Sequence, residues 1–304
     1  MALRTGVIGL GDIALKAYLP VLTTEPGLEL HLHTRTRQTL DRVGDQYRIP
    51  AEQRHQDLQS LIRHGRIEVA FVHAPTDQHV PIVERLLDAG VHVYVDKPLD
   101  YRLEGAERLV TLAERRERSL SVGFNRRHAP AYAQLLEHPR DLIVMQKNRA
   151  GSPAAPREVV FDDFIHVVDT LRFLVPGTVD HVDVRTRVRD GLLHQVVLQL
   201  SGDGFAAVGM MNRVSGSAEE RLEVSGQGAK REVVNLAEVI DHRGQPTVRR
   251  RGDWVPVSRQ RGIEQVSRAF LEALRSGKVL HGGEALATHE LCERVVRAAE
   301  GRHR

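Results

Sequence analysis

A strand, a glycine-rich turn and a helix open this chain, and that order constrains its fold more than any other feature. Arg4–Leu10 reads as an apolar strand, Gly9-Leu-Gly11-Asp-Ile-Ala14 as a GxGxxA turn, and the pattern from Asp12 to Leu22 as a helix. Gly9 permits the tight turn, Gly11 lets the backbone approach an anion, and Ala14 lets helix and strand pack closely. The unpaired N–H groups and the positive dipole end of the helix then face a pyrophosphate. Gly9, Gly11, Asp12 and Ile13 are the candidate residues of that cradle.

The pattern continues in the same style. Leu28–His33, Glu68–Val72, Val91–Val95 and Leu120–Val122 read as strands. Between them lie helical patterns at Thr36–Tyr47, from Asp57 to a stop at Gly65, through Ala89 with Thr76 as N-cap, and at Leu103–Arg118. Such alternation specifies βαβ units around a parallel sheet, and predicts a doubly wound domain over residues 1–123.

After Gly123 the character changes. A helix is expected at Asp162–Leu174, ended by Pro176-Gly177 and preceded by the loop Gly151–Pro156. From Thr178 to Val257, four or five long strands are expected, broken by turns such as Asp190-Gly191 and Gly202-Asp203-Gly204. Strands without intervening helices favour an antiparallel sheet. Helical spacing returns at Ile263, Val266, Phe270 and Leu274, and again over Glu284–Glu300. The expected fold class is α/β: an N-terminal Rossmann doubly wound parallel sheet plus a C-terminal α+β domain. That second domain, residues 124–304, carries a mostly antiparallel open sheet, and its last helices are free to pack back on the first domain.

Composition excludes several classes of function. No run approaches the ~18 consecutive apolar residues of a membrane span, and Asp12 and Lys16 interrupt the opening segment, so no signal peptide is read there. The single cysteine, Cys292, cannot form an intrachain disulfide, and the expectation is a soluble, cytoplasmic protein. Lysine occurs five times, so thirty-eight of the forty-three basic residues are arginine, yet the net charge is only +3. The one basic run, Arg249-Arg250-Arg251, is short and has Asp253 beside it, and aromatics are 4% of the chain. A nucleic-acid stripe is denser and interleaved with aromatics, so no nucleic-acid partner is expected. The lone Trp254 is read as core or oligomer surface.

The end of the second strand bears on the cofactor. An NAD site usually has an acid there for the ribose 2′-hydroxyl, whereas this chain reads His33-Thr34-Arg35-Thr36-Arg37. Hydroxyls and guanidiniums suit a 2′-phosphate. Thr34, Arg35 and Arg37 therefore favour NADP, with NAD left open. His31 and His33 share a strand face and read as packed side chains rather than a metal pair.

Three further segments carry a family resemblance. Val69-Ala-Phe-Val-His-Ala-Pro-Thr-Asp-Gln-His79, Ala89-Gly-Val-His-Val-Tyr-Val-Asp-Lys-Pro-Leu99 and Gly123-Phe-Asn-Arg-Arg-His-Ala-Pro130 follow the glycine turn in order, and Asp162-x-x-x-His166-x-x-Asp169 follows them. Together they resemble the Gfo/Idh/MocA oxidoreductases, closest to the short MviM-like branch. The resemblance implies that Lys97 lies between nicotinamide and substrate and that Asp162 and His166 are catalytic. It also implies that Ala74, Pro75, Thr76 and His79 belong to a cofactor-contacting loop. Asn125 is expected on the nicotinamide side, with Arg127, Lys147 and Arg149 on the substrate side alongside Lys97, Asp162 and His166.

The chain departs from the family pattern twice. Asp96 replaces a glutamate ahead of Lys97, one methylene shorter, which can alter how the lysine is braced. Phe164 replaces a glycine and can narrow the substrate pocket.

The chemistry of these residues fits the implied activity. His166 can accept a proton from a substrate hydroxyl, Asp162 can orient the imidazole, and Lys97 can stabilise a developing alkoxide. The resemblance implies a polyhydroxylated substrate (a sugar, nucleotide sugar or cyclitol) and a homodimer or homotetramer formed through the C-terminal sheet. Two other classes compete: a nucleotide sensor without turnover, and a metal-dependent lyase or hydrolase using His166 and Asp169. One histidine makes the latter ligand set thin, and no metal is expected.

Overall fold

Parallel sheets flanked by helices are buried on both faces, and the apolar runs of the first third of the chain meet that requirement. In the computed structural model, which describes residues 2–301, Val69–Val72 is buried at every position. The strands are β1 (Leu3–Ile8), β2 (Leu28–His33), β3 (Arg54–His55), β4 (Val69–Val72), β5 (His92–Val95) and β6 (Leu120–Val122). They pair in parallel in the order β3-β2-β1-β4-β5-β6. One strand, β3, has no counterpart among those read from the sequence: it is two residues long, too short for an apolar run to announce it. Chain direction reverses its progression at β1, which places a crevice between the carboxyl ends of β1 and β4. Ile8 is in register with both His33 and Val72, so the loops after β1, β2 and β4 leave the sheet at one edge.

The chain forms two compact units, residues 1–123 with 263–287, and residues 124–262 with 288–304. The helical spacing from Ile263 becomes the helix Ile263–Arg275 of the first unit, burying Ile263, Val266, Phe270 and Leu271. Phe270 meets Phe71 edge-on at 5.6 Å, a geometry aromatic pairs favour. The helix after the glycine turn runs over 12–22 as expected, but Ala14–Tyr18 is wound as a π-helix before the regular turns of Leu19–Leu22.

The second unit holds an eight-stranded sheet. Its strands are β7 (Leu142–Asn148), β8 (His181–Arg189), β9 (Leu192–Gly202), β10 (Phe205–Asn212), β11 (Glu219–Gly226), β12 (Ala229–Val234), β13 (Glu238–Arg243) and β14 (Gln245–Arg250). The order is β14-β13-β12-β11-β7-β10-β9-β8, antiparallel except for the β7–β10 pair. Seven strands therefore occupy the stretch where four or five were expected. The extra ones come from the short strands β11 to β14, whose turns at Gly226-Gln227-Gly228 and Arg243-Gly244 are legible in the sequence but whose six- to eight-residue strands were counted too few.

The helix expected to begin at Asp162 begins at Pro156 instead. Proline is suited to the first helical turn, where its missing N–H is not needed, but it reads as loop in sequence. That helix is π-wound over Val160–Phe164 and regular over Ile165–Leu174. It closes onto the sheet at Gly209, where a Cβ would stand 2.5 Å from Val167 and 2.8 Å from Leu171. Trp254 is 97% exposed, so of its two expected places the core is ruled out.

Candidate functional site

The glycine turn is built against a neighbouring backbone. Gly9 has φ +87°, and a Cβ there would lie 2.6 Å from the Ala74 nitrogen and 2.7 Å from the His73 carbonyl carbon. At Gly11 a Cβ would meet nothing within 4 Å, so the space above its backbone is open. A cavity of about 440 Å³ beside the turn is bordered by Gly9, His33, Thr34, Arg35, Ala74 and Pro75. Gln56, Asp57 and Arg85 border it as well. Sequence reasoning passed over these three; Asp57 was visible only as a helix start, and its Oδ1 does accept the Ser60 N–H at 2.7 Å.

Other expected cofactor residues are placed differently. Arg37 begins the helix Arg37–Gln46 and donates to Asp41 at 2.7 Å, away from the cavity lining. Asp12 pairs with Lys16 at 2.6 Å on the surface, and Ile13 is 44% exposed. Thr76 is not an N-cap. It opens the 3₁₀ turn Thr76–Gln78 after Pro75, and the helix itself is His79–Asp88. His79 is buried with Nδ1 2.8 Å from the Pro98 carbonyl and Nε2 2.8 Å from the Ala74 carbonyl. Its ring nitrogens tie the loop after β4 to the segment after β5, which occupies them otherwise than with a cofactor.

His33 is buried at the cavity, its Nδ1 without a hydrogen-bond partner among the described residues. Burial pushes its imidazole down to about 4, against weaker influence from Asp57. The steric demand at Gly9, the open face at Gly11 and the unpartnered polar atom at His33 fit a dinucleotide. Gly9, Thr34, Arg35, Ala74 and Pro75 are the residues that would hold it.

Lys97 follows β5 at its carboxyl end and is half-buried. The residue before it anchors a polar cluster. Asp96 Oδ2 lies 2.8 Å from His73 Nδ1, Asp96 Oδ1 accepts the Tyr18 hydroxyl at 3.0 Å, and the Tyr18 and Tyr94 hydroxyls are 2.9 Å apart. Burial would raise the Asp96 carboxyl, but His73 and the Tyr18 hydrogen bond hold it below its ordinary range. Burial and the Asp96 charge raise both tyrosines. Asp96 is thus a fixed anion. His73, Tyr18 and Tyr94 were missed in sequence, where the shortened acid at Asp96 was the only hint of special bracing.

In the second unit, Asp162 and His166 are both half-buried, whereas the intervening Asp163, Phe164 and Ile165 are buried. Asp162 sits in the π-wound turn, a feature frequent at functional sites. Phe164 is fully buried, so its ring is core rather than the wall of an open pocket, which corrects the narrowing expected from it. Asp169 is buried and takes the Arg127 guanidinium at 2.7 to 3.0 Å and the Thr288 hydroxyl at 3.2 Å. This pair commits much of Arg127 to holding the fold. Asn125 donates to the Arg261 carbonyl at 2.7 Å.

Lys147 and Arg149 join a cluster that sequence reasoning saw only in part. Lys147 Nζ is 2.9 Å from Asp163 and 3.5 Å from Glu220. Arg149 and Arg213 also bond Asp163, and Arg126 is bidentate with Glu220 at 2.8 Å. Among the described residues no group of three or more His, Cys, Asp or Glu could hold a metal ion, and no helix is long and apolar enough to cross a membrane.

Comparison with known proteins agrees with this architecture. The profile described as "Oxidoreductase family, NAD-binding Rossmann fold" matches residues 3–124, and that described as "YceM-like, C-terminal domain" matches residues 130–243. The chain is 34% identical to YceM of Salmonella typhimurium, across 97% of this chain and 96% of that one. The crystal structure of a dehydrogenase (MviM) from Clostridium difficile superposes with a TM-score of 0.90 at 30% identity, covering 97% of this chain and 98% of that one. A dTDP-3,4-didehydro-2,6-dideoxy-alpha-D-glucose 3-reductase from Streptomyces violaceoruber is 32% identical over 47% of this chain and 40% of its own length. The glycine turn, the Asp96–Lys97–Pro98 segment and the Asp162–His166 helix thus belong to a protein similar along its whole length to known relatives, and the chain is a member of the Gfo/Idh/MocA oxidoreductase family.

Proposed function

We propose that this oxidoreductase interconverts a secondary alcohol and a ketone on a sugar, nucleotide sugar or cyclitol, with a preference for NADP. The cavity beside Gly9 carries the reading: β2 ends at His33 and is followed by Thr34 and Arg35 with no acid, and Arg35 and Arg85 border the space. Two guanidiniums suit a 2′-phosphate. Asp57, also at the cavity, is the observation that favours NAD instead, but its Oδ1 is engaged by Ser60. A similar protein named as a dTDP-sugar 3-reductase supports the substrate class.

Lys97, Asp162 and His166 are the proposed catalytic residues. In the oxidative direction His166 takes the proton of the substrate hydroxyl as the C–H bond gives up its electron pair, and in reduction it returns that proton. Asp162 orients the imidazole and stabilises its charged form. Lys97 donates to the reacting oxygen and stabilises negative charge developing there. A bound nicotinamide supplies the hydride acceptor or donor.

The expected homodimer or homotetramer is supported by exposed apolar residues on the second sheet, Val188, Leu192 and Val197. The buried, unpaired Cys292 suits the cytoplasm. Titration with NADPH and NADH, followed by nicotinamide fluorescence, tests the central reading. Tighter NADPH binding is expected; tighter NADH binding moves the assignment to NAD, and binding of neither overturns it.

A further inference from the structure

The second unit contains a polar cavity of about 200 Å³ at the paired strands β7 and β11, bordered by Arg126, Lys147, Arg149, Glu219, Glu220 and Arg261. Lys147 and Glu220 stand opposite each other in the strand register and are both buried. With Asp163 and Arg213 included, the cluster holds five cations and three carboxylates among the described residues.

Two of the three carboxylates are already engaged by the protein's own cations. Asp163 accepts from Lys147, Arg149 and Arg213; Glu220 accepts from Arg126, Tyr132 and Lys147. Glu219 accepts from Asn148 at 3.1 Å and Ser217 at 3.2 Å. Positive charge therefore exceeds negative around the cavity: Arg126 and Lys147 are buried there, while Arg149 and Arg261 reach solvent, so an anion arriving from solvent meets cations on several sides.

We propose that this cavity binds the carboxylate or phosphate group of a small molecule. The guanidiniums of Arg126 and Arg149 are each fixed by two hydrogen bonds to a carboxylate, so they are held in place before any ligand arrives. Planar guanidiniums match carboxylate and phosphate oxygens. Burial, reinforced by the neighbouring Arg126 and opposed by Glu220 and Asp163, pushes the Lys147 ammonium down to about 8. Glu220 stays ionised: burial would raise it, but Arg126, Lys147 and the Tyr132 hydrogen bond together hold it at about 2. The site lies within one unit; the proposal rests on the reading of Lys147 and Arg149 as substrate-side residues, and anion binding without cofactor or turnover separates its failure from that of the proposed reaction.

Equilibrium dialysis of the full chain against radiolabelled inorganic phosphate, and separately malonate, at constant ionic strength set with chloride, tests the site without cofactor or turnover. Saturable binding of at least one anion is expected, weakened about tenfold or more by Arg149→Gln or Arg261→Gln. Arg185→Gln, at an exposed pair with Asp183, should leave binding unchanged. Phosphate alone, malonate alone or both binding identifies the group recognised. No saturable binding of either anion, or undiminished binding in both variants, overturns the proposal. Arg149→Gln leaves Asp163 two cationic partners, and Arg261 is exposed, so at least one variant should keep the fold; thermal melting checks this.

Discussion

His73 Nδ1 lies 2.8 Å from Asp96 Oδ2, so the residue immediately before Lys97 is held by a side chain from the neighbouring strand's end. Tyr18, from the helix after the glycine turn, takes the other carboxylate oxygen at 3.0 Å. The shorter acid at this position is thus met by partners that come to it. Two segments far from it in the chain converge on one carboxylate, immediately ahead of Lys97.

Asp96→Asn keeps the shape of the side chain and removes its charge. Turnover should fall by about one to two orders of magnitude, chiefly in kcat, as expected when a group acting through a catalytic lysine is lost. His73→Ala should have an overlapping effect, and the double variant should be much less than multiplicative because the two residues are in contact. Steady-state kinetics of the two single variants and the double variant check this; fully multiplicative losses would separate His73 from Asp96.

The two turn glycines should fail in different ways. Gly9→Ala places a Cβ at φ +87° and 2.6 Å from the Ala74 nitrogen, and should destabilise the protein by about 1–3 kcal/mol as well as abolish nucleotide binding. Gly11→Ala meets no protein atom within 4 Å, and should melt like the wild type while weakening nucleotide binding. Thermal melting beside fluorescence titration distinguishes them.

Cofactor preference should follow cavity geometry rather than sequence proximity. Arg35→Gln or Arg85→Gln should weaken NADPH binding about tenfold, or about 1.4 kcal/mol, with little effect on NADH. Arg37→Gln should change neither, since Arg37 is turned to Asp41. Competitive titration with the two nucleotides is the measurement.

Acid should destabilise the first unit through His33. Burial lowers its pKa from 6.5 to about 4, so the unfolded chain binds the proton first. Well above the ordinary value of 6.5 neither state is protonated and His33 has no linkage effect. As pH falls from 6.5 towards 4, stability is lost, by at most about 1.4 kcal/mol per pH unit from this group. His33→Gln should flatten that part of the profile in denaturant titrations; an unchanged slope would assign acid sensitivity to other buried histidines such as His79 and His55.

Local physics made much of this protein legible in its sequence. The glycine turn, the alternation of strands and helices, and the spacing of Ile263, Val266, Phe270 and Leu274 each depend on neighbours within a few residues, and each became the expected element. Short-range signals were weakest where an element has few residues to declare itself, as in β3, or where a loop-like residue starts a helix, as at Pro156.

Lys97, Asp162 and His166 were visible because motifs carry them, whereas their surroundings were not. Whether an arginine faces a cavity, as Arg85 does, or a carboxylate on its own helix, as Arg37 does, depends on sheet order and helix rotation. The hydrogen-bond partners of Asp96 come from the residue after β4 and from the first helix, and those of Lys147 from β11 and the Pro156 helix. Periodicity and turn chemistry act between residues close in sequence, so the chain alone determined its elements and its motifs. Burial, ion pairing and shifted protonation arise between residues brought together by packing, and only the tertiary structure decided them.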